Sequence, residues 1–77
     1  MAISVEALQQ RLQDAFPGDR IIASGDGYHF QVQVISAQFS GLRPVQRQQK
    51  VYGCLNDWIA TGELHALTIK ATTPDEE

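Results

Sequence analysis

A chain of 77 residues with 43% hydrophobic content supports one domain and one modest core, most economically a small sheet with helices laid on it. A net charge of −3 argues against strong generic attraction to nucleic acid, and no apolar run approaches the roughly 18 residues that a membrane helix requires. Cys54 is the only cysteine, which excludes an internal disulfide and a multi-thiolate metal site built from this chain alone.

The first residues, Met1-Ala2-Ile3-Ser4, lack the basic start and apolar stretch of a secretory signal, so the expected location is cytoplasmic. Ser4 is a good N-cap, and Glu6 follows in the first turn, where a helix dipole favours a carboxylate. Val5, Leu8, Leu12, Ala15 and Phe16 recur at helical spacing, and Pro17-Gly18 stops the pattern. This predicts a helix over residues 4–16.

Arg20 to Ser24 reads as a short strand. Gly25-Asp26-Gly27 reads as a tight turn, because Asp-Gly supplies the positive-φ backbone a hairpin needs. Tyr28 to Ile35 then alternates. Tyr28, Phe30, Val32 and Val34 share one face, and His29, Gln31, Gln33 and Ile35 share the other, which predicts an antiparallel hairpin with His29 at its turn end on the wetter face.

Phe39 is a core anchor in a single helical turn that Ser40-Gly41 breaks. Pro44 suits the first position of a long helix running to Gly62. Val45, Tyr52, Leu55 and Ile59 give its apolar face, widened by Val51, Cys54 and Trp58. Gly53 lies inside this helix at a cost of roughly 1 kcal/mol, which suggests close packing there. Leu64 to Ala71 is a strand with His65, Leu67, Ile69 and Ala71 on one face. Residues 72–77 form an acidic tail expected to fray.

The expected order is αββααβ, and a right-handed crossover between the last two strands predicts a mixed three-stranded sheet with helices on one face. Tyr28 and Tyr52 both fit core positions. No phosphate-binding glycine loop, catalytic triad or carboxylate pair is present, so the chain does not read as an enzyme.

Three sets of side chains carry what chemistry there is. His65 stands where the last strand begins, and it reads either as a hydrogen-bonded structural histidine or as a metal ligand. His29 reads as a solvated residue or as a second ligand; neither histidine, nor both together, completes a metal site. Arg43, Arg47 and Lys50 share one side of the long helix, as a solvated face, a partner-docking surface or a nucleic-acid contact. Cys54, on the apolar side of that helix, reads as a small core residue.

Four stretches resemble the BolA family, and within it the small IbaG-like (YrbA-like) branch: residues 24–32 (Ser-Gly-Asp-Gly-Tyr-His-Phe-Gln-Val), 39–41 (Phe-Ser-Gly), 45–52 (Val-Gln-Arg-Gln-Gln-Lys-Val-Tyr) and 64–71 (Leu-His-Ala-Leu-Thr-Ile-Lys-Ala), with Thr73-Pro74 following. Each is weak alone; their order and spacing over residues 4–74 make the signal. The resemblance implies an α+β fold of the class II KH-like type. It implies pairing with a monothiol glutaredoxin and a [2Fe–2S] cluster shared between the two chains, with glutathione supplied through the partner and no cluster held by this chain alone. The family's ligand histidine falls on His65. Its second, more variable ligand position falls in or near the first hairpin, where His29 is the ligating candidate. The alternative it implies is a transcriptional regulator binding DNA weakly through Arg43, Arg47 and Lys50.

That alternative has two marks against it. Residues 47–49 read Arg-Gln-Gln where many members carry Arg-His-Arg, which removes charge, and the Gly-x-x-Gly backbone grip of KH domains does not occur. The resemblance also lapses after Pro74, where many members continue into a helix. It leaves room for a homodimer.

Overall fold

The computed structural model describes residues 3–64 and 66–76. Helix α1 (Val5–Ala15) is followed by strands β1 (Arg20–Gly25) and β2 (His29–Ile35), a 3-10 turn (Ala37–Phe39), helices α2 (Pro44–Gly53) and α3 (Asn56–Thr61), strand β3 (Ala66–Thr72) and a second 3-10 turn (Pro74–Glu76). This is the expected αββααβ order. The strands form one mixed sheet in the order β1-β2-β3, antiparallel between β1 and β2 and parallel between β2 and β3.

Local signals act as their chemistry dictates. The Ala7 amide donates to Ser4 Oγ at 3.0 Å, capping α1. Gly27, in the hairpin turn, and Gly62, closing α3, take φ of 96° and 80°, which side chains with a Cβ rarely adopt. Pro44 opens α2.

Register decides the two faces. Ile21, Phe30, Val32 and Val34 pack with Leu8, Leu12 and Phe16 of α1, with Phe39, and with Val51 and Leu55. Leu67, Ile69 and Ala71 of β3 lie against the same core, partly buried. Phe16 and Phe39 meet with ring centroids 5.6 Å apart. Arg11 stacks its guanidinium 3.7 Å over the Trp58 ring, tying α1 to α3. All helices therefore cover one face. The other face is open and carries a shallow groove of about 300 Å³ lined by Ile22, Ser24, Gln31, Gln33, Thr68 and Lys70, with Val32 at its floor.

Several expectations are corrected. The long helix is two helices, α2 and α3, because α2 ends at Gly53 and the chain turns through Cys54 and Leu55. Gly53 is no packing site: a Cβ built there would meet nothing within 4 Å, so the glycine marks a helix end. The break also rotates the apolar face. Val51 and Leu55 are fully buried, Cys54 and Trp58 partly so, while Val45 is 60% exposed and Ile59 is also exposed. Tyr28 is 71% exposed, because it belongs to the turn and not to β2, and a turn residue has no sheet neighbour to direct it inward. Tyr52 is half-buried.

Residues 72–76 of the acidic tail are docked instead of frayed. Thr73 is buried, and its amide donates to Glu76 Oε1 at 3.1 Å. The Arg47 guanidinium grips both Glu76 carboxylate oxygens, at 2.5 and 3.0 Å. No described helix is long and apolar enough to cross a membrane.

Candidate functional site

The turn that carries His29 is held by one carboxylate. Asp26 Oδ1 accepts from the amides of Tyr28, at 2.9 Å, and His29, at 2.8 Å, and the Asp26 amide donates back to the His29 carbonyl at 3.2 Å. These backbone bonds, His29 first and Tyr28 second, hold the Asp26 carboxyl below its ordinary range. Gly25 completes the turn by permitting close approach: a Cβ there would stand 2.7 Å from the His29 carbonyl oxygen and 2.9 Å from the Phe30 ring. His29 thus sits on rigid backbone at the first position of β2.

Its side chain projects into solvent. The His29 imidazole is 80% exposed, and its Nδ1 lies 3.8 Å from Asp26 Oδ2, so the two Asp26 oxygens divide their tasks between turn and ring. A carboxylate nearer Nδ1 biases the ring toward the tautomer protonated there, with Nε2 as the donor atom for a ligand. Asp26 escapes a reading that looks only for ligands. The signal that finds it is an Asx turn, an aspartate three residues before a histidine.

Register brings His29 beside the start of β3. In the parallel pair, His29 is opposite Ala66. His65 lies outside the described residues; in sequence it directly precedes Ala66. Among the described residues no three His, Cys, Asp or Glu side chains come together as a metal site. Cys54, half-buried, donates its thiol to the Lys50 carbonyl at 3.4 Å and packs against the core, in keeping with a packing role.

The basic face of α2 divides. Arg43 and Lys50 are exposed. The Arg47 side chain is only 13% exposed; besides Glu76 it donates to the carbonyls of Leu42, at 2.9 Å, and Ala71, at 3.3 Å. The charge is spent inside the fold: Arg47 pulls the Glu76 carboxyl down to about 2. Two cations are left facing outward where the sequence counts three. Nucleic-acid affinity rests on unpaired Lys and Arg, so this weakens the DNA-contact alternative.

The family model for BolA-like proteins matches residues 3–76. The chain belongs to the BolA family. It is 44% identical over 69 residues to a protein named acid stress protein IbaG from Escherichia coli K12, covering 90% of this chain and 82% of that one, which fits the IbaG-like branch. Among solved structures it is similar to BolA1 from Arabidopsis thaliana, with a TM-score of 0.83 at 28% identity over 100% of this chain and 99% of the other. It is also similar to the BolA domain of SufE1 from Arabidopsis thaliana, with a TM-score of 0.85 at 26% identity over 99% and 100%. These findings make the chain a BolA-like regulator or adaptor and carry the α+β sheet topology with them.

Proposed function

We propose that this BolA-family chain is an adaptor that pairs with a monothiol glutaredoxin and supplies histidine nitrogen to a [2Fe–2S] cluster shared between the two proteins. The observation that carries the reading is His29: an exposed imidazole on a hydrogen-bonded turn, with Asp26 on its Nδ1 side, opposite the residue that His65 precedes.

The donor chemistry fits half of a site. A [2Fe–2S] cluster takes four protein or small-molecule ligands. Here the described residues offer His29 without a companion cysteine or carboxylate set. His65 would be the primary ligand and His29 the second. The remaining ligands would be thiolates, from the glutaredoxin and from glutathione. When bound, the cluster would supply one-electron chemistry, at a higher potential than an all-thiolate site gives because imidazole replaces thiolate. This chain's residues would do the rest. Asp26 Oδ2 would bias His29 toward the Nδ1-protonated tautomer, and the Asx turn holds the His29 backbone at the start of β2. Ligation needs neutral imidazole, so protonation would release the cluster. A relative named for acid stress agrees with that dependence.

The test is co-purification with a monothiol glutaredoxin under anaerobic reconstitution, read by visible absorption and circular dichroism. His65→Ala should change the cluster spectrum strongly and His29→Ala more weakly. Unchanged spectra in both variants would overturn the ligand assignment, and failure to co-purify would overturn the pairing.

A further inference from the structure

The hydrogen-bond pattern of the sheet shows which backbone groups of β3 look outward. The Ser36 amide donates to the Thr72 carbonyl at 2.9 Å, so Thr72 directs its polar groups toward β2. In a parallel pair such residues alternate. Ala66, Thr68, Lys70 and Thr72 therefore bond β2, and Leu67, Ile69 and Ala71 present their amides and carbonyls to the outer edge. The Arg47 contact with the Ala71 carbonyl agrees with that phase. Leu67 and Ile69 have no partner for these groups among the described residues. Four backbone groups in a row thus stand open.

The side chains beside them have opposite characters. Leu67 and Ile69, toward the helices, are only partly buried, so apolar surface remains at the edge. Thr68 and Lys70, toward the open face, are exposed and border the shallow groove. A strand laid here would complete the burial of Leu67 and Ile69 with apolar residues on one side. On the other it would meet Lys70 with an acidic residue.

We propose that the outer edge of β3 accepts an extended, acidic-and-apolar alternating segment of a partner protein as a fourth strand. Main-chain bonds to Leu67 and Ile69 supply affinity, and Lys70 selects the acidic side chain. Arg47 blocks the Ala71 carbonyl, which ends the docking register there. The site needs no metal and stands whether or not His29 and His65 bind a cluster.

The test is an amide NMR titration of the full chain. The probe is a six-residue capped peptide alternating glutamate and valine, and its counterpart alternates lysine and valine. The glutamate probe should shift the Leu67 and Ile69 amides and slow their hydrogen exchange about tenfold or more, leaving the Ala23 amide of β1 unmoved. Lys70→Glu should weaken that probe about fivefold and reverse the preference, with Lys70→Gln intermediate. Lack of binding at millimolar probe, equal binding of both probes, or protection centred away from β3 would overturn the proposal. So would protection of Leu67 and Ile69 that grows with protein concentration and no peptide, which would assign the edge to a second copy of this chain.

Discussion

On β1, the outward Ile21 carbonyl accepts from Gln9 Nε2 at 2.7 Å, and the outward Ala23 amide donates to Gln9 Oε1 at 2.9 Å. One carboxamide from α1 thus offers a donor and an acceptor, as a neighbouring strand would, and occupies two of the outward backbone groups of β1. On β3, among the described residues a single side chain, Arg47, is seen to reach the edge, and it offers donors only. It satisfies the Ala71 carbonyl and cannot satisfy an amide. An unpaired edge is a template for further strands, and proteins cover the edges they do not use. The covered edge lies under α1; the open one runs from the end of the sheet where His29 stands.

Several experiments would break or sharpen this contrast. The largest effect is expected from Leu12→Ala, which empties a fully buried position beneath α1. It should cost about 2–5 kcal/mol in denaturant unfolding and weaken both edges together. A loss confined to β1 would show that the edges do not share one core.

Gln9→Ala should act on one edge alone. Two hydrogen bonds of ordinary worth suggest a loss of about 1–2 kcal/mol, with faster exchange at Ala23 and none of that change at Ile69. Unchanged exchange at Ala23 would mean that the carboxamide does not protect that amide.

Acidification tests the Arg47 end of β3. The Glu76 carboxyl is depressed to about 2 from an ordinary 4.5, chiefly by Arg47. A depressed carboxyl contributes stability that is present above 4.5 and is lost as pH falls from there through about 2. Exchange at the Thr73 amide should quicken across that window, and Glu76→Gln should abolish the pH dependence while β1 stays protected. A Thr73 amide insensitive to both would leave Arg47 without its assigned role.

The smallest stability effect belongs to the turn between the two regions. Asp26→Asn preserves an oxygen for the Tyr28 and His29 amides and removes the charge beside Nδ1, so stability should change little. The His29 ring nitrogens, followed by nitrogen-15 shifts, should lose Nδ1–H tautomer. An unchanged tautomer would remove Asp26 from the site.

Features set by neighbours in the chain were legible in advance. The Ser4 cap, the Asp-Gly turn, the alternation of β2 and the stop at Gly62 each depend on a few adjacent residues. So did the placing of His29 at a hairpin end on the wet face. Asp26 was within reach of the same local reasoning. Tyr28 falls outside the alternation because the strand begins one residue later, and Gly53 defeats the packing reading because a helix-ending glycine and a packed one look alike in sequence.

What the amino-acid order determined by itself is the list of elements, the parity of each strand and the supply of ligating groups, since these follow from backbone preference and side-chain period. Only the tertiary structure decided how the charges and edges are used. Arg47 meets Glu76 across 29 positions and Gln9 meets β1 across 12 and 14, and no local pattern encodes contacts closed by packing. Those long-range closures convert one of three basic residues into a tether, dock an acidic tail and leave β3 as the sheet's open side.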